Sequence, residues 1–165
     1  MDPSDDPTGA PTAGFRAGAA LLAAGRVAAA RVAWARAGPP DDPLVAGLVG
    51  YAAAVANARR REWDRSRVRA TDAARTLRTV TDPEPVAVGP VRAFLVSLAT
   101  DPEIVERRPP VVPHVAGARP DPDALPLDAL ARAATATAAT DGSLDPDVVD
   151  DAVRYAREEV AAGGS

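Results

Sequence analysis

The chain has 165 residues, a formal net charge of −4, one histidine and no cysteine. Its length suits one domain with a single core, and the lack of cysteine excludes disulfides, iron–sulfur clusters and thiolate zinc sites. Alanine is the most frequent residue, and it favours helices while adding little apolar area, so helices must approach each other closely. The composition therefore predicts an all-α fold, a compact helical bundle of about five to six helices.

The N-terminal region is acidic and turn-forming. Residues 1–13 contain three prolines and three aspartates, which predicts a disordered acidic tail rather than a signal peptide. The apolar-rich run from Ala17 to Val32 is interrupted by Arg26 and Arg31, well short of the roughly 20 apolar residues of a membrane span. We expect a cytoplasmic protein without a membrane partner, with one helical domain over residues 14–162 and a short tail over residues 163–165.

The first predicted helix runs from about Gly14 to Arg36. One face of it recurs at spacings of three and four: Phe15, Gly18, Leu22, Gly25, Ala29 and Val32. Each glycine costs about 1 kcal/mol relative to alanine in a helix interior. We therefore predict that Gly18 and Gly25 allow a partner helix to approach the backbone closely.

The second predicted helix begins at Asp41-Asp42-Pro43, an aspartate cap followed by proline at the first helical position, and runs to about Arg60. Its apolar face again carries a glycine, Gly47, and predicts a tight antiparallel hairpin with the first helix. A third helix is predicted from about Asp64 to Val80. These three helices, residues 14–80, form the predicted core.

Three further helices are predicted around this core, over residues 89–99, 125–140 and 145–162. Proline punctuates residues 100–123, which predicts a long crossover with at most one turn of helix at Pro102–Val105. In the last predicted helix, Asp150 and Arg154 are four residues apart and are expected to pair on its outer face. No segment has the pattern of a convincing strand.

A basic run extends from the end of the second predicted helix through the third. Eight arginines lie between Arg59 and Arg78 against three acidic residues. The arginines could bind phosphates, and Trp63 could stack on a base. We favour the alternative, in which the arginines form a solvated surface that offsets the acidic C-terminal region and Trp63 anchors the core. Nucleic acid is therefore not the partner that the sequence favours.

The sequence contains no recognisable catalytic or metal-binding motif. His114 is the only side chain that ordinarily titrates near neutrality, and its proline-rich surroundings indicate a plain loop residue. The aspartates after residue 120 lack the spacing of a calcium loop, and helix capping explains them better. We therefore predict no catalytic residue, no cofactor and no metal.

The order and spacing of several short motifs resemble domain-of-unknown-function family 309, especially its archaeal halophile branch. The likeness spans roughly residues 15–110 and is carried by Phe15-Arg-Ala-Gly18, Ala24-Gly25 with Trp34, Gly47-Leu-Val, Tyr51-Ala-Ala-Ala-Val55, Ala58-Arg59 with Trp63, Gly89-Pro-Val-Arg-Ala-Phe-Leu and Asp101-Pro-Glu-Ile-Val-Glu-Arg-Arg-Pro-Pro110. The resemblance implies a small all-helical fold without an established activity.

The resemblance also implies a polar signature around the first-helix tryptophan, in which histidine and acidic residues surround it. Here Trp34 is retained, but the matching polar positions are Ala28, Arg31, Val32 and Ala35. The positions of a second-helix glutamine and histidine are taken by Gly50 and by Ala56-Asn57. Methyl groups neither ligate nor titrate, and arginine is a poor general base. If relatives have a site there, this chain is expected to lack its chemistry.

The leading functional hypothesis is a non-catalytic scaffold or interaction protein. The glycine and alanine seams could also serve self-association, so a homo-oligomer is left open, and the binding partner is unknown. The alternative is an enzyme or a binder of a small molecule or anion. That alternative places a pocket near five side chains: Arg31, Trp34, Tyr51, Asn57 and Trp63. It requires these side chains to converge on one cavity.

Overall fold

The computed structural model describes residues 9–80 and 85–141, together with residues 151, 154, 158 and 162. The protein is all-α, as predicted: residues 9–80 and 85–141 form six α-helices, one 3₁₀-helix and no β-strand. The α-helices are α1 (Gly9–Ala23), α2 (Val27–Ala35), α3 (Pro43–Arg59), α4 (Trp63–Leu77), α5 (Gly89–Thr100) and α6 (Leu127–Asp141). The 3₁₀-helix, Pro102–Glu106, follows α5.

The prediction of one helix from Gly14 to Arg36 is wrong, because the chain turns at Gly25. Gly25 has a φ of 80°, in the left-handed region that glycine adopts without a steric cost. The N–H of Arg26 donates to the carbonyl of Leu21 (2.8 Å), and the N–H of Gly25 donates to that of Leu22 (3.0 Å). This is the hydrogen-bond pattern of a Schellman motif, which ends α1 and lets it fold back on α2.

The start of α1 also differs from the prediction. The helix begins at Gly9, and Ala13 is buried, so residues 9–13 belong to the helix and not to the tail predicted over residues 1–13. Pro11 is compatible with this start because the first turn of a helix has no intrahelical acceptor for its N–H groups. The rest of the predicted tail, residues 1–8, lies outside the described residues.

The helices pack in the order α6, α1, α2, α3, α4 and α5, with α6 also contacting α2. The contact between α3 and α4 is the most extensive, and glycines on α3 explain its closeness. A Cβ atom at Gly47 would lie 2.3 Å from Cδ2 of Leu77, and one at Gly50 would lie 3.0 Å from Cβ of Ala73. The predicted approach at Gly47 is thus to α4 rather than to the first helix.

Local signals define the start of α3 as predicted. Oδ1 of Asp42 accepts a hydrogen bond from the N–H of Leu44 at 2.8 Å, and Pro43 is the first helical residue. An aspartate in this position satisfies one of the N–H groups that a helix leaves unpaired at its start. The capping residues therefore fix where the chain enters the central helix.

The crossover after α5 lies along the core. Val115 is buried and forms isolated β-bridges with Val86 and Ala118. The hydroxyl of Tyr51 on α3 donates to the carbonyl of Val111 at 2.6 Å, which attaches the crossover to the central helix. The single helical turn predicted at Pro102–Val105 corresponds to the 3₁₀-helix.

The last predicted helix, residues 145–162, lies outside the described residues except at four positions. These four, Asp151, Arg154, Glu158 and Ala162, are helical and exposed. Arg154 donates to Oδ1 of Asp151 at 2.6 Å, three residues away, whereas its predicted partner Asp150 is outside the described residues. In the part of the chain that the structure describes, none of the helices has the length and apolar character that a bilayer crossing requires.

Candidate functional site

Trp34, one of the five residues of the predicted pocket, is a core residue. Its side chain is fully buried, and its Nε1 donates to the carbonyl of Phe15 on α1 at 3.2 Å. The indole lies so close to Gly18 that a Cβ atom there would be 2.2 Å from Nε1. A close approach at Gly18 is thus present as predicted, but the group that approaches is the Trp34 side chain of α2 and not a helix backbone. Gly25, the other predicted seam residue, has no such neighbour and serves as the turn residue.

Tyr51 is also part of the core. Its ring stacks on Trp34 with centroids 6.3 Å apart, and Phe94 of α5 meets it edge-on at 6.1 Å. Burial raises the pKa of Tyr51 above its ordinary value, so the hydroxyl stays protonated and donates to Val111. The side chain is therefore engaged in holding the crossover.

The structure contains an open pocket of about 470 Å³ between α2 and α4, with α3 as its floor. We call it the arginine groove. Small apolar side chains line the floor and the α2 wall: Val27, Ala28, Val32, Ala35, Ala52, Ala53 and Ala56. The remaining lining residues are Thr140 of α6 and six longer polar side chains: Arg31, Asn57, Arg60, Glu62, Arg65 and Arg69.

Only two of the five residues of the predicted pocket line the arginine groove. Arg31 on α2 and Asn57 on α3 face it, whereas Trp34 and Tyr51 lie in the core. Trp63, at the start of α4, is half-buried and packs against the core. The convergence of all five side chains that the pocket hypothesis required is therefore absent among the described residues.

The groove contains four arginines and one carboxylate, and that carboxylate is already engaged. Oε2 of Glu62 accepts hydrogen bonds from Nδ2 of Asn57 (3.1 Å) and from Nη1 of Arg65 (3.3 Å). The other three arginines, Arg31, Arg60 and Arg69, are exposed. No carboxylate within the described ranges lies within ion-pair distance of them. Three arginines, from α2, from the turn after α3 and from α4, thus line one groove without an ion-pair partner among the described residues.

Other arginines of the predicted basic run have structural partners. Nη1 of Arg59 donates to the carbonyl of Gly25 at 3.1 Å, and Arg61 pairs with Glu106 at 3.1 Å. Nη1 of Arg75 lies 3.6 Å from Oδ1 of Asp72. The run therefore divides between the groove, these pairs and the exposed surface of α4, so it does not act as one continuous basic face.

The turn between α3 and α4 positions two of the groove residues. Arg61 has a φ of 59°, and the N–H groups of Arg61 and Glu62 donate to the carbonyls of Ala58 (3.0 Å) and Asn57 (2.9 Å). This is a second Schellman motif, with arginine where glycine is usual. A left-handed conformation costs a non-glycine residue roughly 1–2 kcal/mol. The turn places Arg60 and Glu62 on either side of the strained residue and both at the groove.

Sequence reasoning missed Arg60, Arg65 and Arg69 as residues of a pocket. Arg65 and Arg69 are four apart, so they share a face of α4, and Arg60, the capping residue after α3, is likewise four residues from Ala56 on α3. This spacing indicates which residues share a face. Which faces meet depends on the turn at Arg61, whose conformation the sequence does not signal.

The remaining candidate residues lie away from the groove. His114 is exposed in the crossover, and its carbonyl accepts from the N–H of Ala87 at 3.0 Å. Asp121 and Asp128 accept hydrogen bonds from the backbone N–H groups of Asp123 (2.9 Å) and Ala129 (2.8 Å). Within residues 9–80 and 85–141, no three histidine or acidic side chains are grouped so that they could hold a metal ion.

Comparison of the chain with protein-family models, curated proteins and solved structures found no match. The resemblance to family 309 therefore stays a prediction. Most positions where that resemblance places polar residues lie on the arginine groove: Ala28, Arg31, Val32, Ala35, Ala56 and Asn57. In this chain, those positions contribute small apolar side chains, one amide and one guanidinium group to the groove.

Proposed function

We propose that this protein is a non-catalytic interaction protein that holds an anionic partner in the arginine groove. One observation carries the proposal: Arg31 on α2, Arg60 in the turn after α3 and Arg69 on α4 line the same groove without a carboxylate partner among the described residues. Guanidinium groups present several N–H donors in a planar fork that matches carboxylate and phosphate oxygens. Their placement favours binding of a negatively charged group.

The charge distribution supports the same proposal. The whole chain carries a net charge of −4, whereas the side chains that line the groove include four arginines and one glutamate. A local positive charge on an otherwise acidic protein attracts anions to that place and repels them elsewhere. The alanine floor brings no competing donor or acceptor, so the arginines determine which charge the groove accepts.

The enzyme alternative has less support from the structure. The polar atoms of Trp34 and Tyr51 donate to backbone carbonyls inside the core. Arginine, with a pKa above about 12, is a poor general base, and it is the dominant polar residue of the groove. The anion-binding part of that alternative is retained in our proposal, with the site at the groove and away from Trp34.

The glycine seams do not support self-association as the protein's function. Gly18 is covered by Trp34 and Gly47 by Leu77, so these seams are used within the chain. A homo-oligomer stays a prediction, and it would need a different surface. Among the described features, the arginine groove is therefore the one that best supports binding of a partner.

The proposal is tested by titrating the full-length protein with inorganic diphosphate in a calorimeter at low ionic strength. We expect binding that weakens in Arg31→Ala and Arg69→Ala, because each variant removes one donor fork. Arg67→Ala and Arg78→Ala are matched controls, since both residues are exposed arginines of the same region that do not line the groove. Equal weakening in the groove variants and the controls would show that only general surface charge attracts the anion.

A further inference from the structure

We infer that the partner is a small organic phosphate, whose phosphate groups contact Arg31, Arg60 and Arg69 while its uncharged part lies on the alanine floor. This inference rests on the proposed function and adds the chemical class of the ligand. Three properties of the groove carry it: the number of unpaired guanidinium groups, the small apolar side chains, and the volume.

The number of unpaired arginines sets the charge of the ligand. One guanidinium fork matches one carboxylate, so three unpaired forks exceed what a single carboxylate can satisfy. A diphosphate group offers about three negative charges and several acceptor oxygens in a compact volume, which suits three forks that face one groove. Arg65 is engaged with Glu62 and is therefore not counted among the unpaired forks.

The floor and the α2 wall indicate an uncharged part beside the phosphates. Ala28 and Ala35 line the wall as exposed methyl groups, and Ala53 and Ala56 line the floor. These side chains neither donate nor accept hydrogen bonds, so they favour apolar or flat uncharged groups. An inorganic anion alone would leave this surface uncovered.

The volume of the groove favours a small molecule over a polymer. About 470 Å³ falls within the range of roughly 300–1,000 Å³ that is usual for small-ligand pockets. A nucleic acid strand requires positive charge that continues along its path. Of the five arginines of the basic run outside the groove, Arg61 and Arg75 are paired with acids and Arg59 with a carbonyl, so only Arg67 and Arg78 remain to continue such a path.

An acidic peptide is the other class of ligand that arginines attract. Successive carboxylates on one face of a helix stand about 5–6 Å apart and offer one bidentate contact each. Such a peptide would therefore distribute its charge along the groove. The three arginines instead come from α2, from the turn after α3 and from α4, and they line one pocket, which favours a ligand with concentrated charge.

The test compares five probes by calorimetry with the full-length protein: inorganic diphosphate, adenosine diphosphate, geranyl diphosphate, an oligo-glutamate peptide and single-stranded oligodeoxythymidine. At least one of the two organic diphosphates should bind several-fold more tightly than inorganic diphosphate. Arg31→Ala or Arg69→Ala should weaken its binding by about tenfold or more, the usual effect of losing a hydrogen bond to a charged group. Arg69→Lys should recover part of the loss, because lysine restores the charge without the fork.

The uncharged part of the ligand is tested by Ala28→Leu, which fills the groove at an exposed wall position without disturbing the core. This substitution should weaken binding of the organic diphosphate and leave binding of inorganic diphosphate unchanged. Ala93→Leu, at an exposed position of α5 outside the groove, is its control and should change neither. Thermal unfolding of each variant establishes that it is folded.

The outcomes separate the two proposals. If inorganic diphosphate binds as tightly as both organic ones, or if the peptide or the oligonucleotide binds more tightly than either, the ligand class is wrong while anion binding stands. If none of the five probes binds in a manner that depends on Arg31 and Arg69, both the ligand class and the proposed function are wrong.

Discussion

Adding one methyl group at Gly18 tests the packing around which the fold is built. In Gly18→Ala the new Cβ would lie 2.2 Å from Nε1, 2.3 Å from Cδ1 and 2.6 Å from Cε2 of Trp34. Side-chain Cβ atoms do not approach other atoms this closely, and the indole is a rigid, fully buried group. The indole or helix α1 must therefore shift.

The cost follows from three contributions. Overpacking of a core costs about 1–3 kcal/mol, and displacement of the indole also loses its hydrogen bond to Phe15, about 1 kcal/mol. Alanine recovers about 1 kcal/mol over glycine in a helix interior. The sum is a loss of about 1–3 kcal/mol in the free energy of unfolding. For a chain of this size, that corresponds to a decrease in Tm of about 3–10 °C.

The assay is urea unfolding followed by tryptophan fluorescence and by circular dichroism. Gly89→Ala is the control, because Gly89 is also a helical glycine but has no atom within 4 Å of an added Cβ. We expect the free energy of unfolding of the control to remain within about 0.5 kcal/mol of that of the original protein. A Gly18→Ala protein as stable as this control would refute the close contact between α1 and Trp34.

Three further expectations concern the turns, the crossover and the arginines. Gly25 and Arg61 both have a positive φ, which glycine adopts more easily than other residues. In urea unfolding, Gly25→Ala should therefore lower the free energy of unfolding by about 1 kcal/mol. Arg61→Gly should raise it by about 0.5 kcal/mol, despite losing an exposed ion pair. Tyr51→Phe should cost about 1–2 kcal/mol in the same assay, because it leaves the carbonyl of the crossover without its donor. Arg59→Ala should lower Tm, because its guanidinium donates from the end of α3 to the carbonyl of Gly25 in the turn between α1 and α2. Arg69→Ala should leave Tm unchanged or raise it in ligand-free buffer, because Arg69 has no ion pair among the described residues.

Helix starts and ends with strong local signals were predictable from the sequence. Asp42-Pro43 marks the start of α3 and Gly89-Pro90 that of α5, and the structure places both helices there. A cap acts through the N–H groups of its own first turn, and proline fixes its own φ, so neighbouring residues are sufficient to specify these boundaries. The all-α class follows likewise from alanine content and periodicity.

The turn at Gly25 was not predictable, because a glycine within a helix and a glycine that ends one look alike in sequence. Gly18 and Gly25 are both followed by residues with good helical periodicity. What distinguishes them is a contact between distant residues: Trp34 packs on Gly18 only if the chain reverses between them. Tertiary packing, not local propensity, therefore decides where this helix ends.

The candidate site was predictable only in part, for a similar reason. Arg31 and Asn57 emerged from the resemblance, and both line the groove, whereas Trp34 was misplaced because burial of its indole depends on Gly18. Whether an arginine is free or paired also depends on distant residues. Arg59 donates to Gly25, 34 residues away, and Arg61 pairs with Glu106, 45 residues away. A local charge count treats these arginines alike.

The unpaired arginines of the groove are the observation on which the proposed anion binding rests. Like charges that face one another destabilise a folded protein, and this chain has enough acidic residues to neutralise them. It also places a non-glycine residue, Arg61, in a strained turn that positions the neighbouring Arg60 and Glu62 at the groove. Strain and uncompensated charge persist where function requires them. The unpaired arginines line the groove, and the strained Arg61 lies beside it, between two residues that line it. Arg59 and Arg61, which hold neighbouring elements, have partners. The groove, and not the tryptophan of the core, is therefore where ligand binding should be sought.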